Sequence, residues 1–124
     1  MLKAILLVGI GGAFGSILRY LTSVWVARSF LHIFPLATLL VNVLGCLLIG
    51  LLVGIFDRQQ LSSRELQYLF ITGFCGGFTT FSAFSLENVA LLENHTALAI
   101  IYIAASIILG IGAVWLGLYL SRLY

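Results

Sequence analysis

The chain has 124 residues, 62% hydrophobic and 8% charged, with a formal net charge of +2 and a mean hydropathy of +1.20. A water-soluble domain carries roughly a quarter charged residues, so this composition excludes a soluble fold and predicts an integral membrane protein. The small positive charge forms no basic patch, which argues against a nucleic-acid partner, and the single proline, Pro35, suits long helices.

Four apolar segments follow in chain order, at about residues 4–27, 35–56, 66–92 and 96–120. Each reaches the roughly 20 residues that a transmembrane helix needs, so residues 1–124 are expected to form a single four-helix, all-α membrane domain. The first segment stays apolar from Ala4 to about Ala27. That is longer than the roughly 7–15-residue core of a signal peptide, and a retained span is expected. Arg19 lies well inside it. A charge within a span is costly and usually has a task; Arg19 either snorkels to an aqueous boundary or serves an anion entrance.

The second segment opens at Pro35, whose missing N–H is not needed at a helix start. Asn42 sits about 10 Å into it, at a rise of roughly 1.5 Å per residue, flanked by Leu39, Leu40, Val41, Val43 and Leu44 with Thr38 one turn earlier. Its amide carries two donors and an acceptor. It reads either as glue between helices or as a donor lining a polar path.

The third segment is the unusual one. Ser62 or Ser63 with Glu65 marks its start. At its middle it reads Gly73-Phe-Cys-Gly-Gly-Phe-Thr-Thr-Phe-Ser-Ala-Phe-Ser-Leu-Glu87, which places poor helix formers at mid-membrane depth. As one helix the segment would be roughly 40 Å long against a hydrocarbon core of about 30 Å, so a break near Gly76–Thr80 is expected. In lipid a loosened backbone is tolerated only where protein covers it or where it lines a polar cavity, which points to a permeation or binding site. Phe70, Phe74, Phe78 and Phe81 follow helical spacing, the pattern of ordinary packing, but Phe81 and Phe84 alternate with Thr79, Thr80, Ser82 and Ser85. An aromatic ring has a positive edge, and edges aimed into a narrow cavity would hold a small anion weakly enough for it to leave again. Glu87 is a lone acid near the end of the span. In the fourth segment Tyr102 and Ser106 share one face, as part of a polar track or as packing.

Short connectors, Arg28 to Phe34, Asp57 to Glu65 and Glu93 to His95, carry most of the charges. Small residues recur four apart: Gly11 and Gly15, Gly50 and Gly54, Gly73 and Gly77, Ser106 and Gly110, Ala113 and Gly117. Such pairs let helices approach closely in lipid. Cys46 and Cys75 read as small buried residues rather than a redox or metal pair. His32 and His95 both fall in connectors, and neither a catalytic set nor a phosphate loop is present, so no enzymatic activity is expected. Lys3, Arg58, Arg64 and Arg122 fall on the side of the termini, with Arg28 opposite, a bias that favours cytoplasmic termini. Four helices barely enclose a pore, so a transporting chain of this size is expected to pair as a two-fold dimer.

Three motifs, in order, resemble the Fluc/CrcB family of fluoride channels: Gly11-Gly-Ala-Phe-Gly-Ser-Ile-Leu-Arg-Tyr20, Thr38-Leu-Leu-Val-Asn-Val-Leu-Gly45 and the Gly73–Glu87 string. The resemblance covers the whole chain. It implies an antiparallel, dual-topology homodimer in a bacterial inner membrane, with two fluoride pores at the dimer interface and a central structural Na⁺. It maps the pore onto Asn42, Phe81 and Phe84, and the polar track onto Thr80, Ser82, Tyr102 and Ser106. The Na⁺ is implied at main-chain carbonyls of Gly76 and Thr79, and Arg19 and Glu87 match further family positions. The implied role is export of cytoplasmic fluoride down its gradient, which detoxifies the cell. Two other readings compete. A small four-helix multidrug exporter needs an acid in its first span, and there is none here. A non-transporting membrane assembly protein accounts for the small-residue pairs but not for Asn42 or the Thr–Phe stretch.

Overall fold

The computed structural model describes residues 1–29, 33–58 and 63–123; the expectations that concern His32 and Ser62 lie outside the described residues. Among those residues every regular element is helical. Four helical segments are long and apolar enough to cross a membrane: α1 (Leu2–Ser29), α2 (Leu36–Arg58), a third span (Arg64–Asn94) and α6 (Thr96–Ser121). Each bound lies within two residues of the position expected from hydropathy. The third span is composite. One turn, α3 (Arg64–Leu66), leads into a π-helix (Gln67–Cys75) and a further turn, α4 (Gly76–Phe78); after two extended residues, α5 (Phe81–Asn94) completes the crossing.

Pro35 precedes the first turn of α2, and its carbonyl accepts the Leu39 N–H at 3.2 Å. Ser63 occupies the N-cap position of α3 but makes no side-chain cap, and its hydroxyl oxygen is buried without a partner. Glu65 turns instead to Lys3, with Nζ 3.1 Å from Oε1. At the same end, Arg58 Nη1 donates to the Ser121 and Arg122 carbonyls at 3.4 and 2.9 Å. These contacts gather the start of α1, the end of α2, the start of the third span and the end of α6, as four alternating crossings require.

Two seams hold the spans together. Along one, α1 lies against the π-helix and α4; along the other, α2 lies against α6. Both seams are backbone on backbone. A methyl group on Gly11 would strike the Leu69 carbonyl oxygen and one on Gly15 that of Phe74, while Gly73 and Gly77 face Val8 and Gly12 in return. On the second seam Gly50 faces the Val114 carbonyl, Gly117 that of Leu47, and Gly54 the Ser121 hydroxyl. In lipid the approach of two backbones supplies the dispersion contact that a hydrophobic drive supplies in water. The Ser106–Gly110 pair differs, since a methyl on Gly110 would meet only Cys46 Sγ at 3.6 Å. Outside the seams, Phe14, Ile17, Ile108, Ile111 and Trp115 are exposed, as side chains facing lipid or another protein would be.

Overpacking a tight contact costs typically about 1–3 kcal/mol. Gly11→Ala and Gly117→Ala are therefore expected to lower the thermal unfolding midpoint in detergent. Gly112→Ala, where nothing lies within 4 Å of the added carbon, is expected to leave it unchanged.

Candidate functional site

The third span breaks at Thr79 and Thr80, with φ/ψ of −81°/159° and −151°/125°. The last helical bond before the break runs from Thr79 N–H to the Cys75 carbonyl at 3.0 Å, and the Thr79 hydroxyl donates to the same oxygen at 2.9 Å. β-branched threonines tolerate extended backbone well, and the π-helix just before them has already widened the ladder. π-helical turns are rare and occur frequently at functional sites.

Several polar backbone groups at the break meet specific partners. In a continuous helix Thr80 N–H would bond the Gly76 carbonyl. It donates instead to Asn42 Oδ1 at 2.8 Å, and Asn42 Nδ2 donates to the Thr80 carbonyl at 3.0 Å. Ala83 N–H, which would otherwise bond the Thr79 carbonyl, donates to Thr80 Oγ1 at 3.3 Å and so caps α5. Ser16 Oγ donates to the Gly77 carbonyl at 3.4 Å. The carbonyls of Gly76 and Thr79 thereby both lose their regular helical donors. Gly76 is exposed, and the space beside it is open for 4 Å. Bare carbonyls beside open space are the donor chemistry that a hard cation takes.

Two cavities meet at this point. The larger, of about 480 Å³, brings together Asn42, Gly76, Thr79, Thr80, Phe81, Phe84 and Ser106. Phe81 is 78% exposed, and its ring centroid lies 5.7 Å from that of Phe84. The Ser106 hydroxyl oxygen is buried without a partner. The N-terminus of the 14-residue helix α5 opens at the same place, and a helix N-terminus carries partial positive charge and free N–H groups that favour an anion.

The smaller cavity, of about 370 Å³, is lined by Ser16, Arg19, Tyr20, Thr38, Thr80 and Glu87 among others. Thr80 is thus common to both. Arg19 Nε is buried without a hydrogen-bond partner. Glu87 accepts from the Thr38 hydroxyl at 2.6 Å and from the Tyr102 hydroxyl at 2.8 Å. Tyr102, fully buried, is absent from the lining of both cavities. Its ring packs 5.1 Å from Phe84 and edge-on to Phe34 at 5.4 Å. Ser82 lines neither cavity; it is exposed and shares a 3.2 Å hydrogen bond with Thr80 Oγ1. The phenylalanine row divides at the break. Phe74 stacks on Phe78, 5.9 Å between centroids, as packing, and only Phe81 and Phe84 reach the cavity.

Sequence reasoning missed Asn88. It is buried, donates from Nδ2 to the Phe84 carbonyl at 2.8 Å, and leaves Oδ1 without a partner. The available signal was its spacing, one helical turn beyond Phe84. Thr72 was also missed, although it faces the larger cavity.

The comparisons with known proteins agree with one another. Residues 6–118 match the family described as CrcB-like protein, Camphor Resistance (CrcB). The chain is 45% identical over 122 residues, 98% of both chains, to the fluoride-specific ion channel FluC of Flavobacterium psychrophilum. It is 48% identical over 126 aligned positions, the full length of both, to the protein of the same name from Azobacteroides pseudotrichonymphae. With that of Rhizobium etli it shares 51% over 118 residues, 94% of each.

Hydrogen bonds to a charged group are worth roughly 1.5–3 kcal/mol. Tyr102→Phe keeps the ring and removes one of the two hydroxyls on Glu87. It is expected to destabilise the folded protein by about that amount, and Thr38→Val by a similar amount, both measured by thermal unfolding in detergent.

Proposed function

The chain belongs to the CrcB-like family, and on that premise we propose that it is a fluoride-selective channel through which fluoride leaves the cell down its electrochemical gradient. One observation carries the reading: the likeness to fluoride-specific channels runs through essentially the whole chain at 45–51% identity. The activity is passive transport, not catalysis. Hydrogen fluoride enters a cell as a neutral weak acid and dissociates inside, and a channel for the anion relieves the accumulation. In a bacterium its place is the inner membrane.

The proposed path runs past Asn42, Phe81 and Phe84, with Thr80, Ser82 and Ser106 as the nearer part of the hydroxyl track and Tyr102 set behind it. Asn42 uses one Nδ2 hydrogen on the Thr80 carbonyl, and a primary amide has a second to offer. The unpartnered Ser106 hydroxyl and the α5 N-terminus supply further donors. Ring edges replace part of the water shell without binding the ion tightly. Tyr102 acts from behind Phe84, through Glu87 and through ring contact. Arg19 gives the smaller cavity a positive charge, and Glu87 stands beside it with both oxygens occupied by hydroxyls.

The assembled form in this reading is an antiparallel homodimer with dual topology and two pores at its interface. Support comes from the large exposed apolar surface around the break, Phe81 above all. A central Na⁺ would be held by the Gly76 and Thr79 carbonyls of both copies. A single chain offers two such oxygens, and hard cations take about six, so a second copy doubles the set. Such an ion would supply positive charge beside these carbonyls.

The test is ion efflux from liposomes containing the purified protein, with fluoride and chloride recorded in parallel. Fast fluoride release without chloride release is expected; no movement of either ion from folded protein would refute the channel. Asn42→Asp replaces an amide donor with an anion and is expected to abolish fluoride efflux. Phe81→Ile should slow it with the fold retained. Replacing Na⁺ by a bulky organic cation is expected to weaken dimerisation, read by chemical cross-linking.

A further inference from the structure

The Thr80 N–H has lost its helical acceptor at membrane depth, and Asn42 Oδ1 takes it up, while Asn42 Nδ2 also donates to the Thr80 carbonyl at the start of α5. We propose that Asn42 is a positioning residue, a latch that holds the break in the third span open. In doing so it fixes where Phe81 and Phe84 stand and keeps the Gly76 carbonyl free of Thr80 N–H. The inference goes beyond the donor role proposed above, and only its efflux arm rests on the channel reading.

A primary amide presents a C=O and an N–H side by side, which is the edge of an extended residue. Asn42 and Thr80 therefore exchange two hydrogen bonds, 2.8 and 3.0 Å long, as two facing residues of an antiparallel strand pair do. The match requires Thr80 to be extended, and it is. The latch is anchored on its own side by α2. Val41 beside it is 1% exposed, and Gly45, three residues on, lies directly against the Thr79 side-chain methyl. The residue on the other side of the break, Phe78, is also buried.

Without Asn42, the unsatisfied Thr80 N–H at this depth would cost several kcal/mol, and the acceptor one turn back is the Gly76 carbonyl. Closing that bond winds α4 into α5. Each residue of an α-helix turns the chain by about 100°, so the Phe81 and Phe84 rings would swing away from Asn42's side of the cavity. Residual backbone freedom does not replace the latch: the Thr80 hydroxyl is already committed to Ala83 and Ser82.

The experiment is magic-angle-spinning NMR of the full-length protein in liposomes, reading the Thr79 and Thr80 backbone shifts, alongside fluoride efflux. In the wild type both threonines should give extended-chain shifts, with a through-space contact between the Asn42 side-chain nitrogen and the Thr80 carbonyl carbon. Asn42→Ala is expected to move both threonines into the helical range, leave the signals of the other spans in place, and lower efflux about tenfold or more. Asn42→Asp keeps an acceptor for Thr80 N–H, so Thr80 should stay extended although efflux is lost. Extended threonines in Asn42→Ala would overturn the latch, as would changes spread through all four spans. Should Asn42→Ala not fold, the wild-type contact and the Asp variant decide: a missing contact or a helical Thr80 overturns the proposal. A wild type that passes no fluoride would sink the channel reading and leave the NMR outcome standing.

Discussion

Inside a bilayer a peptide group finds no water, so every N–H and C=O needs a partner supplied by protein. The rest of this structure is subordinate to that constraint at one place, the two extended residues Thr79 and Thr80. Asn42 answers for both groups of Thr80, the Thr80 hydroxyl for the first turn of α5, and Ser16 for the Gly77 carbonyl. These partners come from three different spans. α1 and α2 must both lie close to the third span for the break to exist, and the glycines that remove side chains from the α1 seam make that approach possible.

The same economy of partners separates the two cavities chemically. The larger is walled mainly by apolar and aromatic side chains, with a few polar atoms around the break. The smaller holds a cation, an acid and several hydroxyls. Thr80 belongs to both, so the site is a junction between unlike environments rather than one uniform channel wall. An anion on the smaller side meets the charge of Arg19; on the larger side it meets dipoles and ring edges. Glu87 does not oppose this as a bare charge, since hydroxyls of α2 and α6 occupy both of its oxygens.

Much of this was legible in the chain itself. Hydropathy marks four spans to within two residues, and Gly76, Gly77, Thr79 and Thr80, poor helix formers at the middle of an overlong apolar segment, announce a break. The π-helix over Gln67–Cys75 was not legible. Its residues are unremarkable for an α-helix, and the widened ladder belongs to a stretch packed directly on the Gly11 and Gly15 backbone, which is a tertiary effect. Asn42 could be recognised as an amide in need of partners, but not that its partner would be a peptide group 38 residues away. The helix start read from Ser63 and Glu65 is met, since α3 begins at Arg64 with Ser63 at the N-cap position; only the side-chain cap is not made, and Glu65 pairs with Lys3. Tyr102 was read as a track residue, and its full burial behind Phe84 depends on how α5 and α6 meet.

The pairing of the seams has a consequence for how the protein is made. The main partner of α1 is the third span, and the main partner of α2 is the fourth. A ribosome delivers the spans in order, so the first two enter the bilayer with their glycine faces unmatched and with Asn42 facing nothing that can satisfy its amide. The contact between the neighbouring spans α1 and α2 is minor beside these two seams. Asn42 can therefore meet Thr80 only once the third crossing is in place, and Tyr102 can reach Glu87 only with the fourth, so the contacts that complete the site depend on the last two spans to be synthesised.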